Sequence, residues 1–154
     1  MESKAWQTGF LGRVPPACGT KLLAQARTFR FAPGEIIFRE GDASTRLYLI
    51  KSGEVDLEMA LRSGAAAKLT TVGPGDVFSW SAMVEPYIET ATARAVAEVE
   101  VLGIERRVVE DLCWEDLAMG LELYRTLAGV LSSRLAAARL QALGVASQGS
   151  SQAA

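Results

Sequence analysis

Turn signals recur at short intervals from residue 33 to residue 76, and no feature of this chain limits its fold more. Pro33-Gly34-Glu35, Gly41-Asp42, Ser52-Gly53-Glu54, Ser63-Gly64 and Gly73-Pro74-Gly75-Asp76 each pair residues that set or free the backbone dihedrals a tight turn needs. The runs between them are too short for stable helices and rich in branched and aromatic residues: Glu35-Ile36-Ile37-Phe38, Leu47-Tyr48-Leu49-Ile50 and Glu54-Val55-Asp56-Leu57-Glu58-Met59. The last alternates polar and apolar residues, the period of a half-buried strand. Short strands at this cadence predict an antiparallel barrel or sandwich. Gly34, Gly53 and Gly75 stand where the turns want a positive φ, so their work is to shape the β-domain.

The flanking regions read differently. Residues 1–28 carry a short apolar pattern broken by Pro15-Pro16, after which Thr20 is placed to cap a short helix over KLLAQAR. From Val108 the period becomes helical, with a brief segment to Cys113 and a long one from about Glu115 to Leu143. The long segment contains no proline and would extend roughly 40 Å at 1.5 Å per residue. One apolar stripe runs Leu117, Leu121, Tyr124, Ala128, Leu131, Leu135 and Ala138, and a second runs Leu123, Leu127, Val130 and Ala137. One stripe can pack on the β-domain, but two require a second surface, and pairing of two copies supplies it. The expected organisation is an N-terminal helical segment 1–28, a β-domain 29–107, C-terminal helices 108–144 and a disordered tail 145–154, rich in Ser, Gln, Ala and Gly.

Composition removes several functions. The 154 residues contain no histidine, which excludes Ser/His and Cys/His catalysis, HExxH zinc chemistry and histidine-ligated haem. Cys18 and Cys113 match no metal or redox spacing and read as buried free thiols. A formal charge of −2 offers no basic face for a phosphate backbone, so direct nucleic-acid binding is not expected. No apolar run approaches the roughly 20 residues of a membrane span, and the N-terminus has no signal-peptide core, which makes the cytoplasm the default location.

Four blocks carry a resemblance: "FAPGEIIFREGD" at 31–42, "LYLIKSGEVDL" at 47–57, "VGPGDVF" at 72–78 and "TATARA" at 90–95. In this order and spacing they resemble the cyclic-nucleotide-binding domain of the Crp/Fnr regulator superfamily. The resemblance implies a mainly β fold with flanking helices, an eight-stranded β-roll of jelly-roll topology. It also implies a long C-terminal helix that covers the pocket and pairs two subunits. Leu117, Leu121, Tyr124, Leu131 and Leu135 are the residues expected at that dimer interface.

The family's phosphate-binding cassette usually runs F-G-E-[LI]-A-L-L and then, after a short gap, P-R-[ST]-A-[TS]. Its glycine and the following amides approach the cyclic phosphate, its glutamate accepts from the ribose 2′-hydroxyl, and its arginine pairs with the phosphate. Here Phe78 and Ala82 match, while Ser79 stands for the glycine and Trp80 for the glutamate. The intervening segment is longer, so either Glu89 or Ile88 takes the arginine position, and both fail chemically. Arg94 matches an arginine of the strand beyond, which is not the phosphate ligand. The candidate pocket is therefore Phe78, Ser79, Trp80, Ser81, Ala82, Glu89, Thr90 and Ala91, with Trp80 either filling the nucleotide's space or walling a pocket for an apolar ligand. Thr90 and Thr92 share one strand face; Arg46, Arg134 and Arg139 read as solvated charges.

The function expected from this is a regulatory, non-catalytic Crp/Fnr-like domain standing alone, because only a short low-complexity tail follows Leu143 where regulators of the family carry a helix-turn-helix domain. It would be a homodimer that senses a small molecule other than a conventionally bound cyclic nucleotide, without a cofactor. The alternatives are a closed-pocket domain that binds a partner protein and, least favoured, an enzyme.

Overall fold

The computed structural model describes residues 5–152, with side chains through Gly144. Eight strands form the β-domain: β1 (Arg27–Phe31), β2 (Ile36–Phe38), β3 (Arg46–Ser52), β4 (Val55–Ala60), β5 (Ala66–Val72), β6 (Val77–Phe78), β7 (Thr92–Ala95) and β8 (Val99–Glu105). They build two four-stranded antiparallel sheets, ordered β1-β8-β3-β6 and β2-β7-β4-β5. Two short helices, α1 (Phe10–Arg13) and α2 (Pro16–Gln25), precede the strands; α3 (Arg106–Glu115) and α4 (Leu117–Gln152) follow them. The mainly β architecture with a long C-terminal helix is the one expected. The tail 145–154, expected to be disordered, lies outside the residues described with side chains.

Two cores meet at the first sheet. On β3, Tyr48 and Ile50 point between the sheets, whereas Leu47 and Leu49 point to the helices, and all four are buried. β8 repeats the division, with Val99 and Val101 on the inner face and Leu102 and Ile104 on the helical one. A strand buried on both faces loses its polar alternation, which is why Leu47-Tyr48-Leu49-Ile50 reads as an unbroken apolar run. The helical core adds Phe10, Cys18, Leu22, Val109, Met119, Leu123 and Leu127. Cys18 and Cys113 are both free thiols, Cys18 buried and Cys113 half-buried.

The turn glycines take the conformation expected of them, with φ of 80° at Gly34, 85° at Gly53 and 87° at Gly75. Gly75 has a second constraint. A Cβ there would lie 2.9 Å from the Trp6 carbonyl oxygen, and one on Gly9 would lie 2.4 Å from the Gly75 oxygen. This close approach, with the Phe10 amide donating to Gly75 O at 2.9 Å, pins the N-terminal segment to the turn before β6.

Helix α2 corrects one expectation. It starts at Pro16, not after Thr20, because a proline at the first helical position has a preset φ and no amide to leave unpaired. Thr20 lies inside the helix, its hydroxyl donating to Pro16 O at 3.0 Å. At the other end, Asp116 separates α3 from α4 and its carboxylate accepts from the Met119 amide at 3.1 Å, an N-terminal cap.

Candidate functional site

The cassette begins where β6 ends. Phe78 is fully buried and stacks on Tyr48 at 5.2 Å and on Phe38 at 5.9 Å between ring centres, which fills the roll beneath the turn with aromatic rings. Ser79 then adopts φ 61° and ψ 34°, the left-handed region. Holding a residue with a side chain there costs about 1–2 kcal/mol. The chain thus keeps the backbone geometry a glycine would supply for nothing, and gains a hydroxyl. A 3-10 turn, Trp80–Met83, follows, with Ser81, Ala82 and Met83 buried and Trp80 half-buried.

That hydroxyl does something specific. Ser79 Oγ donates to Glu89 Oε1 at 2.5 Å and lies 3.1 Å from Ser44 Oγ. Glu89 is only 4% exposed and Ser44 1%, so three polar side chains form one buried hydrogen-bonded cluster. Burial pushes the Glu89 carboxyl above its usual value; hydrogen bonds from Ser44 and Ser79 pull it back, and the nearby Asp42 charge adds to the rise. None of the ion pairs among the described residues includes Glu89. Its partners are hydroxyls, which can bond a carboxyl in either protonation state.

Backbone bonds draw the surrounding loops shut. Ala43 and Ile88 form an isolated antiparallel bridge, the Glu89 amide donates to Asp42 O at 2.8 Å, and the Ser44 amide donates to Tyr87 O at 2.8 Å. From the start of α3, Arg106 Nη1 donates to Ser44 O at 3.0 Å while its guanidinium sits 4.1 Å from the Tyr87 ring centre. The loops 41–45 and 84–89 are thereby tied to each other and to a helix.

Of the two residues that sequence left open for the arginine position, Glu89 turns its side chain to Ser79, whereas Ile88 is 45% exposed. Thr90 is exposed and Ala91 half-buried; Thr92 accepts from the Glu40 amide at 3.0 Å. The inner face of β7 belongs to Ala93 and Ala95, which puts Thr92 on the outer one; Thr90 lies in the bend before β7, so the strand face expected to join the two threonines does not form. Arg94 pairs with Glu58 at 3.3 Å and donates to Gly34 O at 3.1 Å, away from the cluster. The structure thus joins Ser79 and Glu89 in one hydrogen bond, with Phe78 packed beneath, and leaves Thr90 exposed in the bend that follows.

Ser44, Tyr87 and Arg106 escaped the sequence reading. A serine two residues past a Gly-Asp turn is the ordinary turn residue, and nothing local reveals that it faces a carboxylate 45 positions later. Two arginines taken for solvated charges are also packed. Arg46 lies over the Phe29 ring at 4.9 Å and pairs with Glu105 at 3.7 Å. Arg134 donates to the Val77 carbonyl, and its Nη1 is buried. Long cationic side chains lay their stems along apolar surface, and a charge pattern alone does not show which do so.

Along α4 the two apolar stripes separate from Leu117 to Val130, whereas Ala137, expected on the same stripe as Leu123, Leu127 and Val130, is exposed. Leu123 and Leu127 are buried against the β-domain and Val130 packs beside them. Leu117, Leu121, Tyr124 and Leu135 are exposed, Leu131 is half-buried, and the exposed Trp114 of α3 continues the surface. Trp114, Leu117, Leu121 and Tyr124 line a groove of about 370 Å³ with Cys113 and Gly120. No helix of the described residues is long and apolar enough to cross a membrane.

Comparison with known proteins places this arrangement. Residues 28–116 match the family described as cyclic nucleotide-binding domain. The CRP-like cAMP-activated global transcriptional regulator of Mycobacterium tuberculosis is 28% identical over 122 residues, covering 79% of this chain and 54% of the regulator. The catabolite activator protein of Thermus thermophilus has a similar structure, with a TM-score of 0.74 at 26% identity over 89% of this chain and 62% of that one. The N-terminal domain of a transcriptional regulator from Streptomyces coelicolor A3(2) gives a TM-score of 0.70 at 25% identity over 80% of this chain and 89% of that one. The chain spans about half the length of the first curated relatives it matches. With the β-roll, the cassette turn and the long helix in the same order, the chain belongs to the cyclic nucleotide-binding domain family and has Crp-type regulators among its relatives.

Proposed function

We propose that this member of the family is a non-catalytic regulatory domain whose cassette is occupied by its own Glu89, so that it does not take cAMP or cGMP in the family's manner. The observation that carries the reading is the buried bond from Ser79 to Glu89. An anionic phosphate brought to the same turn would meet a carboxylate instead of an arginine, and charge repulsion in a poorly hydrated site disfavours both. Trp80 stands where the resemblance places the ribose acceptor, and an indole has a donor but no acceptor. In this reading the domain responds to an effector other than a conventionally bound cyclic nucleotide. The absence of histidine and of a paired acid and base at motif spacing supports a non-enzymatic role, and the acidic composition argues against direct duplex binding. A cytoplasmic setting is consistent with two free thiols.

Output runs through α4 in this reading. Its exposed leucines and Tyr124, together with Trp114, make an apolar face that pairing with a second copy covers. A second reading, in which the domain works by binding a different protein, draws on the same face: Trp114 is 78% exposed, and aromatic residues anchor interfaces. Native mass spectrometry of freshly purified protein tests the proposal. The expected spectrum is a homodimer without cyclic nucleotide; a monomer, or retained cAMP or cGMP, would contradict it.

A further inference from the structure

A cavity of about 250 Å³, lined by none of the cassette residues 78–91, lies between α1, the turn from β5 to β6, and α4. Its lining holds two arginines, Arg13 and Arg134, against one carboxylate, Asp76, which leaves one positive charge in excess. Asp76 is already engaged, its Oδ2 accepting from the Gly73 amide at 2.9 Å. Arg134 is the unusual member. One terminal nitrogen donates to the Val77 carbonyl, while the other, Nη1, is buried without a hydrogen-bond partner among the described residues. A buried charged donor left unpaired is costly, and such groups are ordinarily matched. Burial presses its pKa down, with Asp76 partly opposing the shift. Thr70 and Ser133 add hydroxyls to the lining, and Phe10, Val72 and Val130 add apolar surface.

We propose that this cavity binds a small organic molecule carrying a carboxylate or phosphate group, received by Arg134 and Arg13, with its apolar part against Phe10, Val72 and Val130. A guanidinium presents a fork of donors that fits either oxyanion. The cavity volume exceeds the roughly 150 Å³ that holds a benzene-sized guest, so a short carbon skeleton fits beside the anionic group. Three separate parts of the chain wall the site: the N-terminal segment, the edge of the β-domain and α4. Occupancy would couple the β-domain to α4, and the site does not depend on what the cassette accepts.

The test is calorimetric titration of the full chain with sodium phosphate and, separately, sodium propionate, each against sodium chloride at matched ionic strength. At least one probe should bind with a millimolar dissociation constant that chloride does not reproduce, and the preferred probe tells phosphate from carboxylate. Arg134→Gln should weaken that binding about 10- to 100-fold, the usual loss for a charged hydrogen bond. Asp76→Asn should tighten it by removing the opposing charge. If Arg134→Gln fails to fold, Arg13→Gln replaces it and should weaken binding. Probes no better than chloride, or binding unchanged by the arginine substitution, would overturn the proposal.

Discussion

Replacing Leu121 and Leu135 together by glutamate should convert a dimer into a monomer while leaving the domain folded. Both residues lie on the outer stripe of α4 and each is 53% exposed, so neither substitution opens the core. Full burial of a leucine is worth about 1.5–3 kcal/mol, and about half of that remains to be gained at each position. A symmetric pair contains four such leucines, which together supply about 3–6 kcal/mol of association. At 1.4 kcal/mol per decade, their loss weakens pairing about 100- to 10,000-fold, and facing glutamates add repulsion. Sedimentation velocity at tens of micromolar reads the outcome, with denaturant midpoints confirming that both chains fold. A wild-type monomer at that concentration, or a double variant that dimerises as tightly as wild type, would refute the reasoning.

Two further substitutions probe the cassette. Glu89 binds its proton more tightly folded than unfolded, so wild type has its full stability below the carboxyl's ordinary value of 4.5 and loses part of it as pH rises through the higher folded value. Glu89→Gln removes that titration, so urea denaturation from pH 4 to pH 8 should show the variant gaining on wild type as pH rises; a gap that moves the other way would show the carboxylate to be stabilising. Trp80→Ala should cost about 2 kcal/mol, roughly half the loss from truncating a fully buried aromatic, because the indole is half-buried. A loss below about 0.5 kcal/mol in chemical denaturation would mean that Trp80 walls an open pocket after all.

The β-domain could be read from the sequence because its signals are local. A turn needs its glycine within the turn, and Gly34, Gly53 and Gly75 all have positive φ in the structure. The division of α4 was also legible, since two stripes at helical spacing must face different surfaces. What escaped depends on contacts between distant segments. The cassette's departures from the family pattern were plain at Ser79 and Trp80, yet the pairing of Ser79 with Ser44 and Glu89 requires two loops to be brought together. Pro16 was taken for a helix breaker because proline both ends and begins helices, and only the backbone before it decides which. Arg134 was read as a solvated flank because its position on α4 does not show how far a long side chain reaches into a neighbouring carbonyl.

The central claim, that Glu89 and Trp80 close the cassette to cyclic nucleotides, is tested most directly by calorimetric titration of cAMP and cGMP into the wild type and into the variant carrying Trp80→Glu and Glu89→Arg. Wild type should give no heat of binding up to millimolar nucleotide. The variant regains an acceptor for the ribose and a guanidinium for the phosphate, together worth about two decades or more of affinity, and should bind at least one of the two. A micromolar dissociation constant in the wild type, abolished by substitution within the Phe78–Ala82 turn, would contradict the account.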